Sequence, residues 1–319
     1  MRSILILVKK VRNVHMVPSA ALTRVLLLVV LLGLAACDTR QPATEEGLRV
    51  IATTTILGDV VENIVGDDAT VEVLLPQGAD PHDYQASARQ VAAIQEADLV
   101  VANGLMLEEA LTDVLEGAAA DGANLFLVGG QLDPLPFGGQ NNGTLDPHVW
   151  LDPARMAEAA RLIAGELAKV DDRKDWAARA DAYAEELSAL DAAISNLLAG
   201  IPAADRELVS NHDSLGYFAD RYGFKIIGTV IPGGATLADP SSADMADLVQ
   251  LIRQSGAKAI FAETTEPSTL AEAVAAEAGE EIRVVILYTG SLGEPGSGAD
   301  TLIGMLRINA ERIASALSS

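Results

Sequence analysis

Apolar residues along the chain gather into short, β-branched runs, each followed by a stretch in which they recur every three to four positions. Four such runs come first, at 48–56 (LRVIATTTI), 70–75 (TVEVLL), 98–103 (DLVVAN) and 124–128 (NLFLV). Four more follow, at 207–211 (ELVSN), 224–231 (FKIIGTVI), 257–262 (AKAIFA) and 283–288 (RVVILY). Runs that are apolar throughout predict strands covered on both faces, and helices between them predict parallel pairing. The expected fold class is α/β with two lobes, each a mostly four-stranded parallel sheet flanked by helices.

Between the two sets lies 172–198, free of Pro and Gly, in which Trp176, Tyr183, Leu187, Leu190, Ile194 and Leu197 follow one another at intervals of 7, 4, 3, 4 and 3. That spacing puts one apolar stripe on one helix face. At 1.5 Å per residue such a helix would reach ~40 Å, far enough to lie along both lobes as a single rigid backbone. Gly200-Ile201-Pro202 stops it. The expected organisation is an N-terminal lobe over 48–171, a linking helix over 172–200 and a C-terminal lobe over 201–319. Irregular segments rich in Gly and Pro are expected at 131–146 and 293–299.

The start of the chain has a different pattern. Residues 1–36 carry Arg2, Lys9, Lys10, Arg12 and Arg24 but no acid, and end in the apolar run 25–36. A basic start before a short apolar run predicts a secretory signal, and the run is too short for a bilayer, which takes ~20 residues. The run stops at Cys37, the only cysteine. Leu34-Ala35-Ala36-Cys37 resembles the lipobox of bacterial lipoproteins, which implies lipidation at Cys37 and a membrane-anchored chain facing the periplasm or the cell exterior. Residues 37–47 then read as a polar tether, and the length before Met16 suggests that translation starts there. The formal charge of −23 excludes nucleic acid as a partner, since phosphate backbones demand clustered Lys and Arg. A monomer is expected.

Beyond the leader the histidines are His82, His148 and His212. His82 follows the second predicted strand, His148 follows the fourth and its loop, and His212 ends the fifth. Open α/β sheets hold their ligands beyond strand carboxyl ends. Pro81 and Pro147 stiffen the backbone ahead of two of the rings. Three neutral imidazoles suit Zn²⁺, and also Cu²⁺, Ni²⁺ or Mn²⁺. The adjacent Asp83 and Asp213 read either as carboxylates that orient the rings or as solvated neighbours.

Four segments carry a wider likeness: GADPHDYQASARQVAAIQEADLVVANG (78–104), DPHVWLDPARM (146–156), SNHDSLGYFADRYGFKIIG (210–228) and GEPGSGADTLIGMLRIN (293–309). In that order they resemble the metal-binding solute-binding proteins of ABC importers for zinc and manganese, a family that includes adhesin-type lipoproteins. The resemblance implies one metal at the lobe interface, with His82 and His148 from the N-terminal lobe and His212 from the C-terminal lobe. It also implies an ABC permease as partner. Manganese-type members usually have glutamate at the position of His212, so the third imidazole points to zinc, with Mn as the alternative. The family's histidine-rich loop is missing from 131–146, and its usual aspartate is replaced by Gly290 in Tyr288-Thr-Gly-Ser-Leu-Gly293. Water or Glu263 would fill the fourth position, and Glu263 reads first as a hydrogen-bonding group between the lobes. Weaker or less selective binding is expected than in a site with that aspartate. Other roles on the same fold are Mn or Fe binding, adhesion, or a metal chaperone. A zinc hydrolase or hydratase is the more remote reading, and without HExxH, GxSxG or a glycine-rich phosphate loop no enzyme is expected.

Overall fold

The computed structural model describes residues 47–138, 143–234, 236 and 238–318. The expected signal (1–36), lipidation at Cys37, the start at Met16 and all of the tether but Gly47 lie outside the described residues.

The first sheet contains β1 (Leu48–Ala52), β2 (Ala69–Val73), β3 (Leu99–Ala102) and β4 (Leu125–Leu127), all parallel, in the order β2-β1-β3-β4. Its connecting helices are α1 (Thr55–Val65), α2 (Ala88–Glu96) and α3 (Thr112–Ala120). The second sheet repeats the plan with β5 (Glu207–Ser210), β6 (Lys225–Thr229), β7 (Ala259–Glu263) and β8 (Arg283–Leu287), in the order β6-β5-β7-β8. Helices α6 (Gly216–Tyr222), α7 (Ser242–Ser255) and α8 (Thr269–Ala278) connect them. Between the sheets run α4 (Pro153–Val170) and α5 (Trp176–Leu198), and α9 (Leu302–Leu317) closes the fold.

Strand side chains alternate between two cores, as the pleat requires. In β1, Val50 and Ala52 face one apolar cluster while Ile51 faces another under α2 and α3. In the second sheet, Val209 and Ile260 pack beneath α7 and α8, whereas Leu208 and Phe261 join the cluster that also holds Val50. That shared cluster runs from one sheet, through α1, α4, α5 and α9, to the other.

The first run ends earlier than expected. Thr54 turns its hydroxyl to the amide of Leu57 (3.1 Å) and caps α1, so 53–56 leave the sheet. The linking helix starts at Trp176, not 172, because Asp175 caps it through the amide of Ala178 (3.1 Å). Its stripe also needs one correction. Leu198 is buried at 1% exposure and Leu197 is 43% exposed, because Ile194 and Leu198 are four apart on the buried face. Helix α5 packs most extensively on α4, and touches both α1 and α9.

Candidate metal centre

The three histidines are far apart in sequence and come from three different loops. His82 lies in the segment between β2 and α2, His148 precedes a single 3₁₀ turn at Val149–Leu151, and His212 follows β5. All three are buried, at 3%, 1% and 2% exposure. One ring nitrogen from each lies within 4.8 Å of the others. His148 Nε2 and His212 Nε2 are 3.0 Å apart, and the three ring centroids are separated by 5.0–5.4 Å. Tetrahedral Zn²⁺ with ~2.0 Å bonds needs donor nitrogens about 3.3 Å apart, close to that shortest separation.

The matching positions in the two lobes follow from sheet order. Strands β5 and β7 are neighbours at the point where the second sheet's connections reverse direction, and their carboxyl ends carry His212 and Glu263. Glu263 Oε1 lies 2.6 Å from His212 Nδ1, and its other oxygen accepts the hydroxyl of Thr289. On the opposite wall, Asp146 Oδ1 lies 2.7 Å from His148 Nδ1. A carboxylate behind each ring holds the proton on Nδ1 and turns the Nε2 lone pair inward. Two such lone pairs at 3.0 Å repel one another unless a cation or a proton lies between them. His82 Nε2 has no hydrogen-bond partner among the described residues.

Residues 50–316 match the family described as zinc-uptake complex component A, periplasmic. The chain belongs to that family. Among its relatives, the manganese-binding lipoprotein MntA of Halalkalibacterium halodurans is 31% identical over 288 residues, covering 90% of this chain and 94% of its own. The zinc-binding protein TroA of Treponema pallidum is 30% identical over 302 residues, covering 92% and 97%. The solved structure of that periplasmic zinc-binding protein has a TM-score of 0.79 at 30% identity, covering 85% of this chain and 99% of its own. The two-lobed, doubly parallel architecture is shared with it.

Within this zinc-uptake component A fold, the carboxylates nearest the rings differ from those expected. Asp83 is exposed and Asp213 half-buried, and among the described residues the carboxylates bonded to the rings are those of Asp146 and Glu263. Asp146 and Glu263 take the ring-orienting role instead. Both oxygens of Glu263 are engaged in hydrogen bonds, one with His212 Nδ1 and one with the Thr289 hydroxyl. Asp146 carries a signal visible in the sequence. Asp-Pro-His occurs twice, at 80–82 and 146–148, and each aspartate accepts the amide of the histidine two residues on, at 3.0 and 2.9 Å. Only Asp146 also reaches its histidine's ring. Asp80 turns its second oxygen to the hydroxyl of Thr236.

Burial sets the charge states. It pushes His82 down to about 3, helped by the neighbouring His148 and His212, and it pushes His148 well below its ordinary value. Burial also disfavours charge on His212, but Glu263 outweighs it and raises this one imidazole. Burial opposes ionisation of Glu263 too, yet His212 holds its carboxyl down at about 2. Of the three imidazoles, His212 is therefore the one whose surroundings favour the protonated ring. Asp146 is pushed up to about 7 by burial, against the opposing amide of His148.

Gly290 stands at the centre's edge. A Cβ there would lie 3.2 Å from Pro81 Cδ and 3.2 Å from Thr265 Oγ1. A cavity of about 230 Å³ opens beside His82, lined by Leu105, Met106, Phe137, Leu145 and Gly234 among others.

Proposed function

We propose that this protein captures a divalent transition metal, zinc foremost, at His82, His148 and His212, and passes it to the permease of an ABC importer. One observation carries the reading: three buried imidazoles from three loops meet, with Asp146 and Glu263 behind two of them. Buried polar groups without partners are costly, so an unpartnered Nε2 on His82 facing two more nitrogens supports a cation as the missing partner. An all-nitrogen donor set suits zinc better than manganese, which favours oxygen. Manganese is the second reading, supported by the similarity to a manganese-binding lipoprotein.

Metal analysis of the purified full chain, followed by competition between Zn²⁺ and Mn²⁺, tests the proposal. One equivalent of zinc that excess manganese does not displace is expected. A chain that takes up no divalent ion, or single alanine variants at 82, 148 and 212 that bind like wild type, would sink it. Family membership in a zinc-uptake complex supports delivery over catalysis; turnover of ester or carbonate substrates by the loaded protein would count against it. Anchoring through lipid on Cys37 belongs to the same reading, with the folded chain a monomer outside the cytoplasmic membrane. Cys37→Ser should shift the protein from the membrane fraction to the soluble one.

A further inference from the structure

The three imidazoles are not held alike, and the difference follows the seam between the lobes. His148 and His212 each have a carboxylate on the ring at 2.7 and 2.6 Å. Among the described residues the ring of His82 has none, and its Nε2 has no hydrogen-bond partner. What steadies His82 is its backbone, and that backbone is fastened to the opposite lobe. Gln77 donates to the carbonyl of Gly293, Gly78 N donates to Ser291 Oγ at 2.9 Å, and Asp80 accepts the hydroxyl of Thr236 while holding the His82 amide at 3.0 Å. Pro81 sits against Gly290, where a Cβ would come within 3.2 Å of its ring.

Residues 77–82 thus form a strap from the first lobe, buttoned onto 290–293 and Thr236 of the second. The cavity of about 230 Å³ lies beside His82, not beside the two carboxylate-backed rings. At its mouth, Gly104, Leu105 and Met106 are consecutively left-handed (φ 73, 56 and 63) and leave Met106 59% exposed. Non-glycine residues rarely adopt that conformation, and it raises a side chain beside the opening.

We infer that His82 is the ligand that parts first, and that Asp80 and Gly290 are positioning residues that set how fast the ion leaves through the cavity beside it. The inference rests on the metal-capture reading and adds an order of events. The strap unbuttons from 290–293, His82 withdraws, and His148 and His212 hold the ion until it passes out. Glycine at 290 is then the seat that lets Pro81 close fully.

Chelator-driven zinc release followed by stopped flow, on the full chain, tests this. Asp80→Ala should release zinc about tenfold faster while association changes by no more than about twofold, since tuning within one site falls mainly on the off-rate. Asp80→Asn keeps an acceptor for the His82 amide and should restore release to within about threefold of wild type. Gly290→Ala should also speed release by displacing Pro81. Should Asp80→Ala fail to fold, amide hydrogen exchange on wild type decides the matter. Zinc is expected to protect 77–82 more than 146–150 or 210–214. Unchanged release in Asp80→Ala and Gly290→Ala, or equal protection of all three segments, overturns the inference and leaves metal capture standing. A wild-type chain that binds no zinc overturns both.

Discussion

At the scale of single residues, each imidazole's behaviour is decided by what stands behind it. Glu263 has both oxygens engaged, one on His212 Nδ1 at 2.6 Å, and so stands directly behind that ring. Glu263→Gln keeps an acceptor but loses the charge, and zinc affinity should fall about 10- to 100-fold in competition titrations, as for other carboxylates behind metal-bound histidine. The same pair sets the pH response. Zinc needs neutral His212 with Glu263 and Asp146 ionised, while the metal-free centre favours a proton on His212 and lifts Asp146 to about 7. Both groups lose protons as pH rises, so affinity should climb between about pH 6 and pH 8, with proton release on binding. Isothermal titration in buffers of different ionisation enthalpy measures that release. In Glu263→Gln the His212 part should move to lower pH, because the charge that raised the imidazole is gone. In the metal-free protein His212 acts with the opposite sign, against the lowered His82 and His148, which cost stability as pH falls. A raised His212 contributes stability below its unfolded pKa of ~6.5, lost as pH climbs through its folded value.

At the scale of elements, α5 shows how far periodicity can be trusted. The stripe through Tyr183, Leu187, Leu190 and Ile194 is buried as the spacing predicts. Its last member is not, since Leu197 and Leu198 are adjacent apolar residues and spacing alone cannot choose between them. Burial chooses Leu198. Leu187→Ala, which empties a fully buried position, should lower stability by about 2–5 kcal/mol in urea titrations. Leu197→Ala should stay within about 0.5 kcal/mol of wild type. Strand existence was legible everywhere, whereas strand ends were set by caps such as Thr54, whose hydroxyl competes with the sheet for the same backbone.

At the scale of the whole molecule, the lobes share one apolar cluster and several bonds across the divide. Tyr217 donates to Asp146 O at 2.7 Å, Trp150 Nε1 donates to Thr289 O at 2.6 Å, and Asp59 accepts from both Tyr183 (2.8 Å) and the amide of Leu302 (3.1 Å). Wide hinge opening would expose that cluster and break these bonds together. Metal-free and zinc-loaded protein should therefore give closely matching small-angle scattering curves, with changes confined to loops such as 77–82. A large lobe rotation between the two states would contradict this.

Local pattern alone determined the strands, the helices between them and the apolar face of the linking helix, because periodicity reports how each segment meets a core whatever its neighbours are. It also marked the three histidines, as rare side chains beside strand ends. Tertiary structure alone decided which carboxylates serve them. Glu263 is 51 residues from His212 and meets it only because β5 and β7 lie side by side. Asp83 and Asp213 are next to histidines along the chain, but adjacent side chains leave an irregular backbone in different directions. Closeness in sequence therefore placed neither of them behind a ring.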